Sequence, residues 1–164
     1  MHPHYLIDGY NVIHKIPELK NALEINLEKA RNLLIHRILN YLTTKKIEIT
    51  LVFDGDDVGY VGNPYERRKK LHIYYSHAPE KADPVIKRIL REKATSTQLI
   101  LVTEDREIIN FGKNMGVKNI LPSQFYSLLR KEAQQNQLDQ KFDKPMSEEE
   151  LTEWLKLFGE EKNQ

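Results

Sequence analysis

"YLIDGYNVIH", residues 5–14, decides how the rest of the chain is read. Tyr5, Leu6 and Ile7 make a short apolar run, the mark of a strand covered on both faces. Asp8 then sets a carboxylate where that strand must stop. Gly9 lets the backbone turn tightly beneath it. Asn11 follows before apolar residues resume at Val12 and Ile13. Such a strand end is either ordinary turn chemistry or the first corner of an active site. The choice rests on what stands at the ends of the other strands.

Three further apolar runs read as strands, Ile47–Phe53, Leu71–Tyr75 and Leu99–Thr103, and a weaker one covers Val117–Leu121. Helical patterns lie between most of them. Leu23, Leu27, Ala30, Leu34, Ile38 and Tyr41 recur at steps of three and four, which predicts one long amphipathic helix. Val85, Ile86, Ile89 and Leu90 predict a second helix, and Ile108, Ile109 and Phe111 a short third that stops near Gly112 or Gly116. Ser123 reads as the N-cap of a fourth, which carries Phe125, Tyr126, Leu128 and Leu129. Strands alternating with helices predict an α/β fold with a mainly parallel sheet. No internal repeat is visible.

The chain has 164 residues, enough for one core-bearing domain with a small appendage. Residues 134–144 turn to Gln, Asn, Asp and Lys, which reads as a linker. Ser147 and Glu150 then match a capping box, and Leu151, Trp154, Leu155 and Phe158 form an apolar stripe on a short helix. An isolated helix of that length is marginal in water, so docking on the main domain is expected. The expected division is a domain over residues 1–133 and a linker with a C-terminal amphipathic helix over 134–164.

The chain has no cysteine, which removes disulfides, zinc–thiolate sites and thiol nucleophiles. The N-terminus lacks the basic and apolar segments of a signal peptide, and no apolar run is long enough to span a bilayer. A cytoplasmic location is the expectation. The formal net charge is only +1, so a nucleic acid would have to be attracted by a local patch.

The strand ends carry the chemistry. Asp54 follows the second strand in "LVFDGDD" and Asp105 the fourth in "ILVTEDRE"; Asp83 stands at the start of a helix in "PEKADPVIKRIL". In a parallel sheet the C-terminal ends of all strands share one edge, and ligands bind just outside it. The prediction is a cluster of Asp8, Asp54, Asp83 and Asp105, with Asn11, Glu80 and Glu104 as further oxygen donors and His14 as the nearest imidazole. Each has a local alternative: Asp105 and Asp83 as helix caps, Asp8-Gly9 and Asp54-Gly55 as turns. One by one these alternatives are good; together they leave unexplained why, of the four clear strands, all but one end in an aspartate. Two like charges about 4 Å apart repel by about 1 kcal/mol in water and about 4 kcal/mol at an effective dielectric of about 20. Such a cluster raises its own pKa values or recruits a cation. Oxygen donors without thiols select Mg²⁺ or Mn²⁺ over zinc, ions that organise phosphodiester hydrolysis.

A second feature is basic. "YERRKKLHIYY", residues 65–75, groups Arg67, Arg68, Lys69 and Lys70 between tyrosines, and Lys81, Lys87, Arg88 and Arg91 extend it. Cations interleaved with aromatics suit single-stranded nucleic acid; the alternative is a solvated loop. A nuclease needs both features, and the basic stretch is expected beside the acidic one. Other motifs fail. "DGDDVG" at 54–59 starts like an EF-hand loop, but Val58 fills a ligand position and Tyr65 stands where a bidentate Glu is required. There is no G-x-G-x-x-G and no Walker lysine loop. Tyr10 stands where a phosphoaspartyl phosphatase needs its second aspartate.

"LIDGYNVIH", "LVFDG", the "AD" of "EKADPVIKRI" and "LVTEDRE" occur in the order found in the NYN branch of the PIN-like nucleases, and the chain resembles most the YacP-like subfamily of small bacterial ribonucleases. The resemblance covers residues 5 to 130. It implies a PIN-like α/β/α three-layer sandwich with a mainly parallel central sheet and a C-terminal helical tail, a divalent metal (Mg²⁺ or Mn²⁺), and endoribonuclease activity of the kind used in mRNA decay. It implies as partner mRNA or other single-stranded RNA, free or within a ribonucleoprotein such as the translation machinery. By matching positions it assigns catalytic roles to Asp8, Asn11, Asp54, Asp83 and Asp105, with metal held by Asp8, Asp83 and Asp105. Two departures stand out: Pro84 occupies a position often acidic in the family, and Glu104 stands where serine is common. Two other readings remain: a non-catalytic RNA-binding module docking on a ribonucleoprotein, and a metal-dependent phosphatase.

Overall fold

Alternation of buried side chains builds the sheet. In the computed structural model, β1 (Pro3–Asp8) sends Ile7 toward one layer of helices and Leu6 toward the other. β2 (Glu48–Phe53) does the same with Leu51 and Phe53 on one side and Val52 on the other. Strands buried on both faces carry apolar residues at nearly every position, which is why these runs are legible. The structure describes residues 2–55, 64–77, 80–143 (the backbone alone for 139–143), 148–149 and 152–153. The capping box at Ser147 and Glu150 and the apolar stripe around Trp154 lie outside the described residues.

Six strands form one sheet in the order β3-β4-β2-β1-β5-β6. β4 (Leu71–Tyr75), β5 (Gln98–Val102) and β6 (Lys118–Ile120) run parallel to their neighbours in the run from β4 to β6. One face is covered by α1 (Gly9–Lys15), α2 (Pro17–Ile25), α3 (Leu27–Leu42) and the start of α6 (Pro122–Asp143); the other is covered by α4 (Ala82–Lys93) and α5 (Arg106–Asn114). This is the expected three-layer α/β/α arrangement. Fully buried side chains such as Leu34, Leu51 and Phe125 each contribute about 1.5–3 kcal/mol relative to exposure.

The structure departs from the sequence reading at several points. The helix expected over Leu23–Tyr41 is two helices. Asn26 breaks it with an extended backbone, and its side-chain oxygen accepts from the Lys29 amide at 2.7 Å. That bond caps α3 and lets the apolar stripe resume at once. α1 has no counterpart in the expected elements, nor has β3 (Tyr65–Arg68), an edge strand antiparallel to β4. Exposed charges are what an edge strand carries, and they hide its period. α6 opens at Pro122, so Ser123 lies inside its first turn and does not cap it. The linker expected from Gln134 is helical to Asp143. The chain has no glycine or proline between Ser123 and Asp143, and its Gln, Lys and Glu are good helix formers. The chain divides into units over Met1–Arg130 and Lys131–Gln164, and the site described below belongs to the first.

Candidate functional site

Asp8 is the last residue of β1, and α1 begins at the next. Gly9 is required there by packing: a Cβ on it would meet the Phe53 ring at 2.5 Å and the Val52 carbonyl at 2.9 Å. The small residue lets α1 start hard against β2, so Asp8 stays pressed into the edge, only 8% exposed. Gly55 serves the second strand end alike, since a Cβ would stand 2.3 Å from the Ser76 carbonyl oxygen.

Two hydrogen-bonding side chains bolt the β5–α5 loop to this corner. The Thr103 hydroxyl donates to Asp8 Oδ2 at 3.2 Å and accepts from the Asp105 amide at 3.1 Å. Asn11 Oδ1 accepts from the Glu104 amide at 2.8 Å. Asn11 thus points back to the same edge, as expected, and what it holds is the backbone that carries Asp105. Thr103 is completely buried; it stands in the quoted "LVTEDRE" motif, but the sequence assigns it no role. Nor does it assign one to Ser76, which donates to Asp54 Oδ1 at 3.4 Å and accepts from the Gly55 amide at 3.3 Å.

A cavity of about 530 Å³ opens at this edge, lined by Asp8, Asn11, Asp54 and Asp83 together with His14 and Lys81. Asp105 is not among its lining residues, yet its charge is felt by both Asp8 and Asp83. Asp105 Oδ1 caps α5, accepting from the Glu107 amide at 2.9 Å and the Ile108 amide at 3.3 Å. Its local role is therefore real, and only Oδ2 is left for another. Asp83 is no cap: Lys81 holds that position and Asp83 sits in the first turn of α4. The secondary candidates are committed elsewhere, Glu104 to Lys15 at 3.2 Å and Glu80 to Arg88 at 3.0 Å.

The electrostatics follow from this crowding. Burial pushes the Asp8 carboxyl up to about 6, with help from the charges of Asp83 and Asp105. The Asn11 backbone amide and the Thr103 hydroxyl oppose the shift. Asp83 is raised too, by burial first and then by Asp105 and Glu107. Asp8 has no ion-pair partner among the described residues. Nor do any three carboxylate or imidazole groups among those residues come close enough together to hold a metal ion. The donor set still fits a hard dication. Mg²⁺ keeps several of its waters and takes one or two carboxylates directly, and buried, mutually repelling Asp oxygens are the chemistry it selects.

The basic stretch is elsewhere. β3 reverses direction, so Tyr65 pairs with Tyr74 while Arg68 pairs with Leu71, the first residue of β4. Arg67, Arg68, Lys69 and Lys70 therefore lie at the N-terminal edge of the parallel strands, opposite the carboxylates. The expectation that the two features adjoin is corrected by this hairpin, which sequence distance alone does not reveal.

The profile of the YacP-like NYN domain matches residues 5–161. The chain belongs to that family. Within the YacP-like NYN proteins, YacP of Bacillus subtilis is 27% identical over 101 residues, which span 61% of this chain and 59% of the relative. Crystal structures of Rae1 (YacP) from Bacillus subtilis superpose with TM-scores of 0.70 and 0.68, at 23% and 20% identity. They cover 84% and 82% of this chain and 79% of the other, and they establish a shared fold. The family is one of PIN-like nucleases, the group its motifs resemble. Among the described residues no helix is long and apolar enough to cross a membrane.

Proposed function

We propose that this chain is a divalent-metal-dependent endoribonuclease acting at the carboxylate edge. One observation carries the reading: Asp8 is a buried carboxylate without an ion-pair partner among the described residues, with Asp54 and Asp83 on the same cavity wall and the charge of Asp105 nearby. A buried carboxylate raised in this way and facing a cavity marks a candidate functional site, and a bound cation would compensate it. Asp8 and Asp83 would hold Mg²⁺ or Mn²⁺ directly, and Asp105 through water or its uncapped oxygen. Asp54 and Asn11 would complete the shell. A bound ion of this kind activates a water and offsets charge on the leaving oxygen.

The chain's own groups do the rest. Asn11 and Thr103 fix the loop of Asp105 against Asp8, so the carboxylates keep their spacing. Lys81 places a cation at the cavity wall, toward an RNA phosphate. The cavity volume suits a nucleotide-sized group. The substrate class this supports is single-stranded RNA, mRNA included, free or within a ribonucleoprotein.

The test is cleavage of structured and unstructured RNAs by purified protein with Mn²⁺, with and without a chelator. Wild type is expected to cut, and Asp8→Asn and Asp105→Asn to lose the activity. Equal rates in wild type and Asp8→Asn would end the catalytic reading. RNA bound tightly but left whole would favour the RNA-binding module, and hydrolysis of a small chromogenic phosphoester alone would favour the phosphatase.

A further inference from the structure

At the N-terminal edge of the sheet, the turn from β3 into β4 presents Arg67, Arg68, Lys69 and Lys70, all exposed. Arg68 is paired with Glu66 at 2.6 Å. Lys46, at the entry to β2, shares with Lys70 the wall of a cavity of about 250 Å³. Lys93, the last residue of α4, is close enough to depress the basicity of His4 and His72. Against these cations stand Glu66, paired with Arg68, and Glu48, which faces both imidazoles at 3.9 Å from His4 and 3.5 Å from His72. Lysines at helix C-termini are accounted for by the helix dipole, and that covers Lys93. It does not cover the β3–β4 turn, which sits on no helix end.

Lys69 supplies an independent observation. Its φ is +55°, the left-handed region. Glycine or asparagine occupies that region at little cost, whereas a long side chain is strained there. A turn needing only its shape would carry one of those. Strain retained in a non-glycine residue points to a use for its side chain.

We infer that this edge is a second RNA-contacting surface, an anchor for the phosphate backbone separate from the edge where cleavage is proposed. β2 spans six residues, so at about 3.3 Å each the two edges stand about 20 Å apart. An RNA that reaches both must run along the flank of the domain. One of about four nucleotides, at about 3.4 Å per stacked nucleotide, is too short. The anchor thus makes the enzyme favour long or folded RNAs without touching the bond that is cut. The cleavage part of this inference rests on the nuclease reading; the binding part does not.

The experiment uses the full-length chain and two RNAs, one of about four nucleotides and one of about thirty, a length that spans both edges several times over. Binding is measured on the Asp8→Asn protein by fluorescence anisotropy, so it is read whether or not the protein is a nuclease. Reversing Arg67, Arg68, Lys69 and Lys70 to Glu is expected to weaken binding of the long RNA at least about tenfold. It should also flatten the salt dependence, by about 0.7 in log–log slope for each phosphate that is no longer neutralised. In the active background the same reversal should raise KM for the long RNA and leave cleavage of the short one unchanged. Lys69→Gly guards against a folding artefact. It should weaken long-RNA binding while raising Tm, by about 2–4 °C. Unchanged long-RNA affinity after charge reversal would overturn the inference, and so would an equal loss on both RNAs. Absence of cleavage by wild type, with the anchor effect on binding intact, would strike the nuclease reading alone.

Discussion

The two edges of this sheet hold opposite charge in opposite ways. At the C-terminal edge the charges are negative, partly or fully buried, and fixed: Asp8 by Thr103, Asp54 by Ser76, Asp105 by the amides of α5. At the N-terminal edge they are positive, exposed and carried on long side chains. Fixed buried charge suits chemistry, because it costs no reorganisation when a reaction needs it. Mobile exposed charge suits attraction, which is long-ranged and sensitive to salt. A net charge of +1 conceals this separation.

Replacing Asp8 is the strongest way to break the comparison. Asp8→Asn should cost at least about a hundredfold in RNA cleavage, the scale of losing a group that acts at the reacting atoms. In a chelator at pH 8 the same variant should be the more stable protein. Asp8 titrates at about 6 when folded against an ordinary 3.8, so folding holds its charge at a disadvantage of up to about 3 kcal/mol above pH 6. Urea unfolding measures it. Saturating Mn²⁺ should then stabilise wild type, by RT ln(1 + [Mn²⁺]/Kd), and leave the variant unmoved. A variant no more stable than wild type without metal would show that Asp8 is compensated by the protein itself.

Thr103→Val sharpens the point that position, not charge alone, makes the edge. The change is nearly isosteric and removes the hydroxyl shared by Asp8 and the Asp105 amide. Outer partners of this kind are worth about tenfold to a hundredfold in activity or metal affinity. Calorimetric Mn²⁺ titration should show the loss beside the cleavage assay. Thr103→Ser keeps the hydroxyl and should recover most of it.

How much of this is legible in the sequence follows the same division. The carboxylate edge can be read because one rule, that parallel strands end together, brings Asp8, Asp54 and the loop of Asp105 to one edge, where the start of α4 adds Asp83. Asp83 shows the rule's strength, since the local alternative of a cap is wrong for it and right for Asp105. The bolts are illegible: Thr103 and Ser76 are single hydroxyls whose partners are fixed only by tertiary structure. The basic edge is legible as residues and not as a place. Whether "YERRKK" runs toward the site or away from it depends on a hairpin reversal that no local pattern encodes. Asn26 is the intermediate case, a cap residue in plain view beneath a stripe that stays in phase across it.

The smallest predicted effect is one the two edges cancel between them. His4 lies near the start of β1 and Asp8 at its end, and both are buried. Burial, aided by Lys93 and opposed by Glu48, lowers His4 from 6.5 to about 4. The folded protein therefore gives up that proton more readily than the unfolded chain, and stability is lost as pH falls from 6.5 toward 4. For Asp8 the sign is reversed. The folded protein holds the proton more tightly, and stability is gained as pH falls from 6 toward 3.8. Each shift is worth about 3 kcal/mol at most, and the windows overlap almost completely. His72, lowered, and Asp83, raised, repeat the pattern on the same two edges. In a chelator, wild-type unfolding free energy should therefore change less between about pH 4 and 6 than that of a variant lacking either group. The variants unmask the halves. Asp8→Asn leaves His4 unopposed and should lose stability steeply over that interval; His4→Gln leaves Asp8 unopposed and should gain it. Parallel slopes in the two variants would mean that the edges do not titrate against each other, and that their opposite charges are independent features of the fold.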